Sequence, residues 1–237
     1  PYGGGTGVSY KDLADSLLKV SCQYNVYAVN LPGHDIVNKQ DKLLNVYETA
    51  KICVEEIKKQ VKGSIILYGH CVGSALTIEI AHLLEKDGIV IDSIFLGGSL
   101  PPKIRTFTSR SLVSDPWGNY SDESIKEILN NAGGFQGEME PEELKFIMDC
   151  FRHDVKVSME YYYKNTKQNI YRLNSPIHSI VGDVDPFTRN YKKSYKKWSV
   201  FSKYKTEIHI IKNGNHYFLN DNSDELARII LERVQRK

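Results

Sequence analysis

The run Ser64-Ile65-Ile66-Leu67-Tyr68-Gly69-His70-Cys71-Val72-Gly73-Ser74-Ala75 reads as a strand that ends in a sharp turn and passes straight into a helix. Ile65 to Tyr68 are apolar and β-prone, and Leu76 to Glu85 has helical composition. Between them, Gly-His-Cys-Val-Gly puts a cysteine at the apex of the turn with a glycine two residues to either side. So tight a turn forces its central residue into a strained conformation, and side chains at the flanking positions would collide. Cys71 then stands at a helix N-terminus, where the dipole favours a thiolate. A buried structural cysteine on a strand–helix corner is the plainer reading. Two further parts of a catalytic set, found downstream, argue against it.

Working outward, strands and amphipathic helices alternate. Ser9 to Val20 has helical spacing with Ser9 as cap, Asn25 to Leu31 reads as a strand ended by Pro32-Gly33-His34, and Leu43 to Val61 is a helix. After the central stretch come a strand at Ile91–Leu96, another at Ile177–Val181, a helix from Tyr191 to Trp198, a strand at Thr206–Ile211 and a last helix over Asp224–Val234 capped by Ser223. This rhythm predicts an α/β fold with a mostly parallel sheet and helices on both faces. Ligands on such sheets bind at the carboxyl ends of the strands, where Cys71 stands. Residues from about 101 to 174 break the rhythm with helices at Ser121–Ala132, Glu140–Cys150 and Phe151–Lys164 and no strand. They read as a helical lid inserted into a single domain spanning 1–237. Most of its aromatics (Phe107, Trp117, Phe135, Phe146, Phe151 and Tyr161 to Tyr163) are expected to pack the lid's own core.

Gly-x-nucleophile-x-Gly at a strand–helix turn resembles the nucleophile elbow of α/β-hydrolases, with Cys71 where serine usually stands. That class requires an acid and then a histidine later in the chain, each just after a strand. Asp185 and His216 meet the requirement. Asp183 is the alternative acid, and Asp185 is preferred because it follows Gly182 by three residues. Of seven histidines, only His216 combines a loop after a strand, a nearby glycine and the right place in the order. His70 should point away from Cys71, His34 is a supporting residue at the right end of the sheet, and His178 and His209 lie inside strands with structural roles. His216 would take the thiol proton, and Asp185 would fix its tautomer. An oxyanion hole would draw one N–H from Val72 and another from the opening loop, at Gly3.

Composition narrows the classes. With 237 residues, 41% hydrophobic content and a formal net charge of +2, the chain can build a core and gives no reason to expect a nucleic-acid partner. The Lys-rich stretch from Tyr191 to Lys205 reads as a solvated face, or more weakly as a dock for an acidic partner. Cys22, Cys53, Cys71 and Cys150 are scattered without metal spacing, which reads as a reduced, cytoplasmic protein with no metal. Neither a signal peptide nor a membrane span is evident.

The blocks Pro1-Tyr2-Gly3-Gly4-Gly5, Leu31-Pro32-Gly33, Gly69 to Ala75, Gly98-Ser99-Leu100-Pro101-Pro102, Gly182-Asp183-Val184-Asp185-Pro186 and Gly214 to Leu219 resemble thioesterases of non-ribosomal peptide and polyketide synthesis. Gly133-Gly134, Arg152-His153-Asp154 and Tyr161 to Tyr163 are similar to the stand-alone, type II branch, as is the position of the acid. The resemblance implies an α/β-hydrolase fold. It also implies a substrate that is an acyl or peptidyl group on the phosphopantetheine arm of a carrier protein, with no cofactor bound by the domain itself. The family has a strand just before the first loop, so residues upstream of Pro1 are expected. It also carries serine where this chain has Cys71. An acyl group on Cys71 is a thioester and stays activated, so hydrolysis, ring closure and transfer to a second carrier are all open. A carrier-binding module without catalysis is the reading from another class.

Overall fold

The computed structural model describes residues 1–21, 23–37, 41–101, 116–135, 137–167 and 171–234. Cys22 and Phe107 lie outside them.

Among the described residues, four parallel strands form the sheet: β1 (Ile65–His70), β2 (Ile91–Gly97), β3 (Ile177–Gly182) and β4 (Glu207–Ile211), in the order β1-β2-β3-β4. Burial follows the two-residue period of a strand. In β2, Ile94 and Leu96 enter the core on one face and Phe95 the core on the other. The first face is covered by α2 (Val46–Gln60) and α3 (Gly73–Lys86), through Ala50, Val54, Ile78, Ala81 and Leu84. The second is covered by α1 (Lys11–Val20) and, at the end of the chain, a helix over Ser223–Val234, through Leu13, Leu226 and Ile230.

A third apolar cluster sits at the end of the sheet that holds Cys71. It joins Ile125 and Leu129 of α4 (Asp122–Asn131) to Leu144, Met148, Phe151 and Val155 of α5 (Pro141–Lys167), with Val72 and Trp117 packed against it. Ser121 caps α4, accepting from the Ser124 N–H at 3.2 Å.

Several sequence expectations need correction. The two helices expected at 140–150 and 151–164 are one, Pro141–Lys167, because no glycine or proline after Pro141 interrupts it. Its two halves serve different cores, since Tyr161 and Tyr162 join the main one beside α3 rather than the small cluster. Asn25–Leu31 carries no sheet ladder among the described residues. No strand lies alongside it there. Its anchors are instead the burial of Val29 and Leu31 and a bond from the Gly7 N–H to Asn30 Oδ1 at 2.9 Å. The second helix starts at Val46 rather than Leu43, because Asn45 accepts from the Tyr47 and Glu48 N–H groups while Glu48 takes the Asn45 N–H in return. Ser9 belongs to a 3₁₀ turn over Gly7–Tyr10 that precedes α1, and so does not cap that helix. Beyond β3, Tyr191–Ser194 forms one turn of helix (α6) and Tyr195–Val200 continues it as 3₁₀. After β4, one turn at Phe218–Asp221 (α7) leads into α8 (Ser223–Val234), which contains Ser223 in its first turn.

Candidate active site

Cys71 has φ 55°, the left-handed region that side chains disfavour. Two neighbours hold it there. Its N–H donates to the Gly97 carbonyl of β2 at 2.8 Å, and its carbonyl accepts the Ser74 N–H of α3 at 3.1 Å. The flanking glycines are required by close approach, partly to each other, since a Cβ on Gly69 would stand 3.0 Å from the Gly73 carbonyl oxygen, and more tightly to other parts of the fold. A Cβ on Gly69 would stand 2.0 Å from Thr77 Oγ1, and one on Gly73 would stand 2.2 Å from the Pro1 carbonyl oxygen. The elbow is thus wedged between its own helix and the opening loop. Cys71 is half-buried, whereas Cys53 and Cys150 are buried. Burial raises both of those thiols, Cys150 to about 12.

Asp185 follows β3 and His216 follows β4, and parallel pairing brings the two loops to one edge. His216 Nδ1 donates to Asp185 Oδ2 at 3.0 Å. The same carboxylate accepts from Thr188 Oγ1 and the Phe187 N–H, each at 2.8 Å. Asp185 and His216 are 1% and 2% exposed, so water does not compete for their bond. Burial pushes the Asp185 carboxyl up, but hydrogen bonds and charge from His216, with help from Thr188, outweigh it and hold the group below its usual range. Burial likewise opposes charge on His216. The nearby Cys71 charge, the Asp185 bond and a hydrogen bond with Cys71 overcome that, and His216 rises to about 10. Asp183, the alternative acid, instead donates its N–H to the Ile211 carbonyl, and it makes no bond to His216.

The opening loop lies against the elbow. A Cβ on Gly3 would meet Phe151 at 2.8 Å and Val72 Cγ2 at 3.5 Å, which puts Gly3 beside the residue after Cys71. Among the described residues, neither the Gly3 nor the Val72 N–H has a hydrogen-bond partner. The loop is fixed by a buried carboxylate. Asp154 of α5 accepts the Gly4 N–H and pairs with His34 Nε2, both at 2.9 Å. His34 Nδ1 faces the Pro32 carbonyl at 3.0 Å, so the ring meets acceptors at both nitrogens. Its burial favours the neutral form, but Asp154 outweighs burial and raises its pKa.

Sequence reasoning missed two supports of His216. His70 is fully buried, accepts from Tyr68 OH at Nδ1 and donates from Nε2 to the His216 carbonyl, both at 2.8 Å. Burial, then the His216 charge, lowers its pKa to about 3, so the ring stays neutral. Its position inside Gly-His-Cys-Val-Gly was the available signal. Gly98, at φ 56°, leaves room for both rings, since a Cβ there would stand 2.5 Å from His70 Nε2 and 3.2 Å from His216 Cε1. The second support is the Ala132 carbonyl at the end of α4, which accepts the His216 N–H at 3.0 Å.

The model of the thioesterase domain matches residues 1–234. The chain belongs to the thioesterase family. This thioesterase is 21% identical over 236 residues to phenyloxazoline synthase MbtB of Mycobacterium tuberculosis, covering 99% of the chain but 16% of that protein's length. It is 22% identical to thioesterase PikA5 of Streptomyces venezuelae, covering 99% of the chain and 79% of the relative. Among solved structures, the type II thioesterase BorB from the borrelidin biosynthetic cluster superposes with a TM-score of 0.76 at 24% identity, over 99% of this chain and 90% of BorB. That similarity establishes the α/β-hydrolase-type thioesterase fold. Among the described residues, no helix is long and apolar enough to cross a membrane.

Proposed function

We propose that this thioesterase acts on acyl or peptidyl groups carried as phosphopantetheine thioesters on a carrier protein of non-ribosomal peptide or polyketide synthesis. The reading rests on one observation above the rest: Cys71 stands on a strained elbow beside a histidine already paired to a buried carboxylate. The type II thioesterase neighbours support the substrate class.

In this reading Cys71 Sγ attacks the thioester carbonyl carbon. The oxyanion that forms takes the Gly3 and Val72 N–H groups. Collapse breaks the bond to the pantetheine sulfur, which leaves with the proton of the His216 imidazolium. His216, now neutral, takes a proton from water as that water attacks the acyl-Cys71 carbonyl. The acid departs, and thiolate and imidazolium are restored. Asp185 steadies the charged ring throughout. The cluster built from α4 and the first half of α5 lies over Val72 and serves as a lid for the acyl chain.

The chemistry of Cys71 favours a second reading, transfer to another carrier or ring closure, because the acyl-enzyme is itself an activated thioester. Intact mass spectrometry with an acyl-pantetheine thioester separates the two. An adduct that requires Cys71 and decays to the free acid is the expected result. An adduct that persists until a carrier thiol or an internal amine is supplied would replace hydrolysis by transfer or cyclisation. An adduct that also forms on Cys71→Ala would overturn the nucleophile assignment.

A further inference from the structure

We propose that His178, Glu207 and His209 form a binding site for a divalent transition metal of the zinc class, at the end of the sheet opposite Cys71. No spacing motif announces it, because the ligands come from two strands. Parallel pairing sets His178 of β3 opposite Glu207 of β4 and Ile180 opposite His209. Residues two apart on a strand share a face, so all three side chains emerge on one side.

Their geometry suits a metal. His178 Nδ1 and His209 Nε2 are 3.2 Å apart. Two imidazoles on a tetrahedral zinc, with Zn–N of about 2.0–2.1 Å, hold their nitrogens about 3.3 Å apart. Glu207 Oε2 lies 3.9 Å from His178 Nδ1, and the three ligand atoms all fall within 4.8 Å of one another. His178 is 6% exposed and its ring stacks on Phe95 with centroids 4.8 Å apart, so one ligand is fixed. Glu207 is exposed and can turn toward an ion. Two nitrogens and a carboxylate are the three protein ligands of a zinc site whose fourth position is left to water.

Arg233 of α8 competes, with Nη1 3.4 Å from Glu207 Oε2. An ion would displace it from the carboxylate. The metal would then clasp β3 to β4, the two strands whose far ends lead to Asp185 and His216.

Calorimetric titration with Zn²⁺ tests the site, in a Cys71→Ala background so that the active-site thiol cannot ligate. Saturable one-to-one binding is expected. It should weaken by at least about tenfold in His209→Ala and in Glu207→Gln, which alter partly exposed groups. Arg233→Gln should tighten it. Zn²⁺ should also raise the melting temperature of the parent and leave that of the His209→Ala variant unchanged. No binding at micromolar Zn²⁺, or binding that neither His209→Ala nor Glu207→Gln affects, would overturn the proposal.

Discussion

His216 carries its charge because of what surrounds it, and this sets the pH behaviour. Its folded pKa of about 10 exceeds the usual 6.5, so its contribution to stability is complete below about 6.5 and is lost as pH rises through about 10. Asp185 has the opposite sign. Its pKa is lowered from 3.8, so its contribution is present above that value and lost as pH falls through the folded one. The Asp185–His216 bond enters both shifts and is counted once, while Cys71 adds to that of His216 alone. Melting temperatures should therefore decline at both ends of the pH range. Because the Cys71 charge is the largest influence raising His216, Cys71→Ala should lower its pKa, read by NMR titration of the imidazole, and move the alkaline decline to lower pH. An unchanged His216 titration would mean that the two groups do not interact. Asp185→Asn removes the group that orients the ring, and the rate of Cys71 acylation should fall by about 10²-fold or more while the variant still folds.

At the scale of elements, the site is assembled by contacts that cross the fold. Asp154 on α5 holds the opening loop through Gly4 and pairs with His34 from the loop after Leu31. Asp154→Ala should free the Gly3 N–H from its position and leave His34 buried beside an uncompensated polar gap. Turnover should drop by up to about 10²-fold, the cost of one lost oxyanion donor, with a smaller change in KM. Steady-state kinetics on a pantetheine thioester would show it. A rise in KM alone would assign Asp154 to substrate binding instead. The His216 loop is gripped in the same manner, through Ala132 at the end of α4. One long helix, α5, thus spans from the small cluster over Val72 to the main core at Tyr161 and Tyr162.

At the scale of the whole molecule, the faces of the sheet are sealed by large side chains. Trp198 is fully buried against Phe201 and Tyr162, with ring centroids 6.0 and 6.1 Å away. Trp198→Ala should cost about 3–5 kcal/mol, a large share of a domain stability of about 5–15 kcal/mol. Its indole N–H has no hydrogen-bond partner among the described residues. Trp198→Phe should therefore cost less than half as much, since it removes volume but strands no polar group. Chemical denaturation of the two variants would check the ratio.

What could be read from the residues in order was whatever depends on neighbours in the chain. The strand–turn–helix at Cys71 was legible because β-prone residues, two glycines and a helical run follow one another directly. Asp185 and His216 were legible as residues just past strands, which parallel topology must deliver to one edge. The unbroken helix through Cys150 and Phe151 was misread because aromatic content obscured the absence of any breaker. Asn25–Leu31 was misread because a strand is defined by its partner, and composition cannot show whether one lies alongside. The supports of the site came only from tertiary structure. His70 behind His216, Asp154 under Gly4 and Gly98 between two rings join residues far apart in the chain. Their roles exist only once burial has removed water and left the polar groups only one another as partners.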